Sequence, residues 1–219
     1  MLSIKNIFFL LFSLSVFSNP FAQNIDSTAN KFWEAVDLNN HKAIVENGEK
    51  LIEYIEENNF ELDSSVIEIR IRVGLSLGNI GNYLNALNLN LKTYLLCQKI
   101  WVPHHGYCSI IINNIQNNYY ILGDYNKAIE YNLIALEIYE KTLGKEHPNY
   151  ATSLHNIAGS YSSLGDYNKS LEYNLIALEI KEKTLGKEHP DYAMSLNNIA
   201  SDYSRLGDYN KSLEYNLTA

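Results

Sequence analysis

An all-helical solenoid of stacked antiparallel helix pairs is the fold class this sequence predicts, and three observations predict it. Gly81-Asn82-Tyr83, Gly123-Asp124-Tyr125, Gly165-Asp166-Tyr167 and Gly207-Asp208-Tyr209 recur at a spacing of 42 residues. Self-similarity at a fixed period of this order marks an array of supersecondary units, each too small to bury its apolar face alone. Leu154, Ile157, Ala158 and Tyr161 follow i, i+3, i+4, i+7 spacing, which puts them on one face of a helix. In the next segment Leu171, Leu175 and Leu178 form one stripe while Tyr173, Ala177 and Ile180 fill the opposite side, so only a strip around Glu172, Glu179 and Lys183 is polar. A helix apolar on most sides has to sit between neighbours, as in a stacked array.

From the N-terminus, Lys5 precedes the apolar run IFFLLFSLSVF, and NPFA leads to a cut after Ala22. A basic start, an apolar core too short for a comfortable membrane span and a terminal position read as a signal peptide over residues 1–22. Residues 23–80 form an acidic helical region, with eleven acids against five bases, containing a degenerate repeat unit from about Lys31 to Ile80. The array of 42-residue repeats follows as 81–122, 123–164, 165–206 and a partial 207–219. No later segment is apolar for 18 residues, so no membrane span is expected apart from the signal peptide.

The connectors LGKEHPNY at 143–150 and LGKEHPDY at 185–192 place lysine, glutamate and histidine side by side twice. Their local logic is punctuation. Gly186 takes the left-handed conformation that closes one helix after Leu185. Pro190 suits the first turn of the next, where its missing N–H loses nothing, and Asp191 favours the positive helix start. His189 then sits at or beside the N-cap, with Lys187 and Glu188 solvated.

A net charge of −8, or −9 once Lys5 leaves with the signal, disfavours nucleic acid, whose binding draws on Lys and Arg displacing counterions. Cys97 and Cys108 lie on either side of a predicted turn. In an oxidising compartment they could close a disulfide; alternatively they are two separate thiols, with Cys97 accessible at the position that Tyr139 and Lys181 occupy in later repeats.

Ala158, Tyr161, Gly165, Tyr167 and Ala177, at their mutual spacings, resemble the tetratricopeptide (TPR) signature, and the 42-residue period with its GKEHPDY connector resembles the kinesin light chain type. The resemblance implies a right-handed superhelix whose first helices line a concave groove for protein segments. Two departures stand out. Asn90, Asn132, Asn174 and Asn216 occupy a position that is usually apolar in that family, which points to a hydrogen-bonded ladder or to a more exposed helix. In the first unit Gly74 stands at the small-residue position, whereas Arg70 replaces an apolar residue.

Repeats 123–164 and 165–206 differ at nine positions, five of them in the first helix: Thr152/Met194, His155/Asn197, Gly159/Ser201, Ser160/Asp202 and Ser163/Arg205. Positions 152, 155, 159 and 163 cluster on one face opposite Leu154, Ile157 and Tyr161. Either exposed positions drift there, or this face sets the specificity of a groove. Beside it stand Asn114, Asn156 and Asn198, with Arg72 at the equivalent place in the first unit. The resemblance implies that such asparagines hold the backbone of a bound extended segment, using donor and acceptor together.

Catalysis is not expected, because no Ser or Cys nucleophile recurs beside His147 or His189. His155 and the His104-His105-Cys108 cluster are the remaining enzymatic candidates, and three ligands within five residues of a connector are hard to aim tetrahedrally. No cofactor or metal is expected. Asn168, Asn210 and Asn216 match glycosylation acceptor patterns but fall in predicted helices. The expected function is an exported, non-enzymatic scaffold binding an extended segment of a partner protein. The alternative is the sensor or docking part of a larger signalling or peptidase-like protein. Leu213 and Leu217 would face water at the uncapped end, which suggests a fragment of a longer chain, a covering protein or self-association.

Overall fold

The computed structural model describes residues 20–58, 64–100 and 106–219, with side chains from residue 25 onward. Most of the expected signal segment and the His104-His105 pair lie outside these. Among the described residues there are ten helices and no strand: α1 (Pro20–Asp37), α2 (His41–Glu57), α3 (Ser64–Asn79), α4 (Tyr83–Ile100), α5 (Gly106–Ile121), α6 (Tyr125–Thr142), α7 (Pro148–Ser163), α8 (Tyr167–Leu185), α9 (Pro190–Arg205) and α10 (Tyr209–Thr218). The chain divides into two compact units, Met1–Val102 and Pro103–Ala219. Within each, consecutive helices pack against one another. None of the described helices is long and apolar enough to cross a membrane.

In the first unit Phe32 of α1, Leu51 of α2, and Ile69 and Val73 of α3 are buried together. Gly48 lets α2 approach α3 closely, since a Cβ there would lie 2.2 Å from Val73 Cγ2. Arg70, which breaks the apolar pattern of α3, is buried and forms an ion pair with Glu56. Its aliphatic stem therefore serves the core while the charge is met by a carboxylate at the surface.

The second unit holds the near-identical repeats, and its core repeats with them. Leu154 and Ile157 of α7 pack with Ala177 and Ile180 of α8 and with Ile129 and Leu136 of α6. Each fully buried isoleucine contributes about 1.5–3 kcal/mol relative to exposure. The strip of Glu172, Glu179 and Lys183 is exposed as expected. Stacked tyrosines join the helices of each hairpin: Tyr119–Tyr131, Tyr161–Tyr173 and Tyr203–Tyr215, with ring centroids 5.5–5.7 Å apart. Lys127, Lys169 and Lys211 lie over Tyr119, Tyr161 and Tyr203. The repeated tyrosines and lysines of the sequence are thus a structural clasp.

Helix ends follow the residues that the repeats share. Asp124, Asp166 and Asp208 cap α6, α8 and α10 by accepting from the backbone N–H three residues on. At the LGKEHP connectors, His147 and His189 are N-caps whose Nδ1 accepts from the N–H of Asn149 and Asp191, both at 3.1 Å. Pro148 and Pro190 open the helices behind them. Gly186 closes α8 with φ +84°, a conformation that strains any residue with a Cβ. Lys187 reaches back 3.1 Å to Glu182 on the surface.

Two expectations need correction. Cys97 is not accessible: it and Cys108 are fully buried, and neither is a free thiol. The position it shares with Tyr139 and Lys181 is an interior one, since those side chains are buried too. The asparagine column is neither an exposed face nor a ladder linking one asparagine to the next. Asn90, Asn132 and Asn174 are buried, and only Asn216 is exposed. Asn132 donates 2.9 Å to Gln116 and 3.0 Å to the Ala128 carbonyl. Asn174 donates to Asp202, and Asn90 lies against Gly74.

Candidate functional site

At the junction of α7, α8 and α9 the second unit carries a cavity of about 290 Å³. Of the sequence-predicted residues, His155, Gly159 and Ser163 of α7 and Asn198 and Ser201 of α9 line it together. Their common setting follows from helical spacing: 155, 159 and 163 lie on successive turns of one face of α7, and α9 turns the adjacent positions 198, 201 and 202 toward it. Ser163 donates 3.3 Å to the hydroxyl of Tyr120, which forms another part of the wall.

The remaining predicted residues do not enter this cavity. Thr152, Met194, Asn197 and Arg205 are exposed, and the Thr152 hydroxyl bonds back to the Pro148 carbonyl of its own helix. Asn114 and Asn156 are half-buried; the Asn114 side-chain nitrogen is buried without a hydrogen-bond partner. Arg72 belongs to the first unit, where Glu68 accepts from it at 2.6 and 3.0 Å and its guanidinium lies over Trp33.

The floor of the cavity consists of residues that sequence reasoning missed. Asp202 is 2% exposed, and its carboxylate accepts from Ser170 Oγ at 2.8 and 2.9 Å and from Asn174 Nδ2 at 2.8 Å. Burial pushes its pKa above the ordinary aspartate value, while the bonds from Asn174 and Ser170 work against that rise. Asp202 forms no ion pair with any described residue. The difference Ser160/Asp202 was visible in the sequence but fell off the outward-facing stripe; of the five differences in the first helix it is the buried one.

Lys181 was also missed. It is 3% exposed and donates 2.9 Å to Ser195 Oγ and 3.4 Å to the Asp191 carbonyl. Burial holds its pKa below the usual lysine range, with Asp191 pulling the other way. Its neighbour His155 has its pKa lowered, first by burial and then by the Lys181 charge; Asn174 and Asp191 oppose the shift. His155 Nδ1 and Asn174 Oδ1 are both buried and lack a hydrogen-bond partner of normal geometry.

The arrangement offers a buried acceptor pair, Asp202 and Asn174, under a mouth of hydroxyls and an imidazole. The hydroxyl of Ser170, bonded to the Asp202 carboxylate, is buried with it. Among the described residues no group of three His, Cys, Asp or Glu side chains could hold a metal ion.

A family model for the tetratricopeptide repeat matches residues 109–175 and 155–219, which together span just over half of the chain. No curated protein matches the sequence. Among solved structures, nearly identical TPR-like repeats of kinesin light chain type from Podosopora anserina superpose with a TM-score of 0.73 at 20% identity, covering 89% of this chain and 92% of that one. The apo form of RapI gives a TM-score of 0.74 at 18% identity, over 88% of this chain and 67% of RapI. A Rap protein complexed with competence and sporulation factor gives 0.62 at 18% identity, over 84% of this chain and 49% of that one. At these identities the likeness concerns the fold.

Proposed function

This chain belongs to the tetratricopeptide repeat family, and from that premise we propose that it is a non-enzymatic scaffold whose second unit binds an extended segment of a partner protein across α5, α7 and α9. The observation that carries this reading is the gathering of differences. Two repeats that share their apolar frame diverge at 155/197, 159/201, 160/202 and 163/205, and five residues from these positions line the cavity. His155, Gly159, Ser163, Ser201 and Asp202 therefore individualise one place on an otherwise repeated surface. Asn156 and Asn198 supply paired donors and acceptors for a bound backbone. A Rap protein of similar fold is complexed with competence and sporulation factor, which supports a binding role for this fold.

Export remains part of the reading, carried by the N-terminal segment and by two cysteines without a free thiol. Sequencing the N-terminus of the protein recovered outside the cytoplasm tests it; an intact Met1 would refute cleavage. For the groove, phage-displayed peptides selected on residues 23–219 supply ligands whose affinity is then measured by fluorescence anisotropy. Replacing Asn156 and Asn198 by alanine should abolish binding while helicity is retained. Unchanged affinity would remove the groove assignment.

A second reading is that the array is the docking part of a larger signalling or peptidase-like protein; a Rap chain of similar fold extends beyond the part that this chain matches. Sequencing the gene beyond codon 219 decides between the two.

A further inference from the structure

We propose that the cavity between α7, α8 and α9 is a specificity pocket for a basic side chain, arginine above all, of the segment bound along this face. The inference rests on the groove reading above and names the chemistry that the groove selects.

Three independent observations converge on it. Asp202 is an acid at the cavity floor with no cation paired to it among the described residues. A carboxylate has about four lone-pair sites, and Ser170 and Asn174 donate only two hydrogens to it. Lys181, a buried cation of the same unit, is turned to Ser195 and the Asp191 carbonyl instead. Second, Asn174 is 3% exposed, lines the cavity and presents an Oδ1 whose neighbour is the His155 imidazole, with no hydrogen bond of good geometry between them. Two acceptors of different residues at one floor match a planar group with several N–H donors better than a point charge. Third, about 290 Å³ is far more than one water's share of about 30 Å³ and lies at the small end of ligand pockets. It suits one long side chain and is too small for a folded partner.

The wall chemistry agrees. Ser162, Ser163 and Tyr120 offer hydroxyls along the shaft, and Gly159 leaves open space where a Cβ would stand. An imidazole held neutral by its burial does not repel an entering cation. The protein's net charge of −8 favours the approach of basic segments. In the preceding repeat the position of Asp202 is Ser160, so the acid belongs to this junction and not to the repeat frame.

The test uses the full array and pools of acetylated, amidated nonapeptides of random sequence, with arginine, lysine, citrulline or glutamate fixed at one position in turn. Fluorescence anisotropy should show the arginine pool binding about tenfold or more tighter than the citrulline pool at one fixed position, which is about 1.4 kcal/mol. The preference should vanish in Asp202→Ser, a substitution that restores the residue of the preceding repeat and is compatible with the fold. Side-chain amide signals of Asn174 should shift with the arginine pool and stay put with citrulline. Binding without preference for a basic residue, or a preference that survives in Asp202→Ser, overturns the pocket and leaves the groove standing. Failure of every pool to bind overturns both.

Discussion

Replacing Asn174 by leucine asks how much the buried Asn174–Asp202 bond matters, and the structure supplies both sides of the sum. The change removes a 2.8 Å hydrogen bond to a carboxylate, worth about 1.5–3 kcal/mol because the acceptor is ionised. It also buries an isobutyl group in place of an amide, a gain of about 1.5–3 kcal/mol. In the wild type the two offset each other, so Asn174→Leu should change stability by less than about 1 kcal/mol. In an Asp202→Ser background the carboxylate is gone and only a neutral bond is lost, so the same substitution should stabilise by about 1 kcal/mol or more. Hydrogen exchange of α8 and α9 amides is the suitable assay, because repeat arrays open locally and a single global unfolding energy is not well defined for them. If the effect of Asn174→Leu agrees in both backgrounds within about 0.5 kcal/mol, the residues are not coupled and the bond carries no weight.

Two pH signatures of opposite sign should accompany this network. Asp202 has a folded pKa raised above its unfolded value of about 3.9. Its ionised form therefore costs stability, which should fall as pH rises through the folded value and should not do so in Asp202→Ser. His155 has a folded pKa below its unfolded value of about 6.5, so stability should drop as pH falls through that region; His155→Asn, the residue found at 197, should lose this dependence in urea titrations at pH 5–8. Lys181→Tyr, which installs the residue at 139, removes a charge beside His155 and should move its NMR titration to higher pH. Gly74→Ala gains about 1 kcal/mol of helix propensity. It also brings a Cβ to 2.4 Å from Asn90 Oδ1 in a fully buried setting, where overpacking costs about 1–3 kcal/mol; net destabilisation in thermal melts is expected. Thiol titration of the unreduced, denatured protein should find no free thiol, and two per chain after reduction.

Much of the architecture was legible because local and long-range signals agree in this chain. The stripe of Leu154, Ile157 and Tyr161, the capping aspartates and the Gly-Lys-Glu-His-Pro connector each define an element without reference to any other. What was not legible lies where polar residues are interior. Lys181 and Asp202 look like solvent residues by type, and although the apolar sides of the second helix announced that it is covered, they did not say which polar residues are covered with it. Cys97 was misjudged for the same reason, through its equivalence to Lys181. The asparagine column posed the question correctly, but its answer depends on partners that differ at each level: Gln116 for Asn132, Asp202 for Asn174. The signal that could have exposed the pocket was present in the paired differences. Ala128/Ser170 and Ser160/Asp202 are contrasts between the same two repeats, and Ser170 and Asp202 bond to each other. Tyr139/Lys181 and Asn149/Asp191 are another such pair.

Those paired differences bear on how the chain finds its own order. Segments this alike risk stacking out of turn, α6 onto α9 in place of α7, and ending in a compact but wrong assembly. Ser170 on α8 and Asp202 on α9 make such a shuffle unfavourable: against α6, the Asp202 carboxylate would meet the methyl group of Ala128 where a hydroxyl now donates. Lys181 in turn is matched to the end of α9 that carries Asp191. The few interior charges thus act as an address written into a sequence of near copies, telling each hairpin which neighbour comes next.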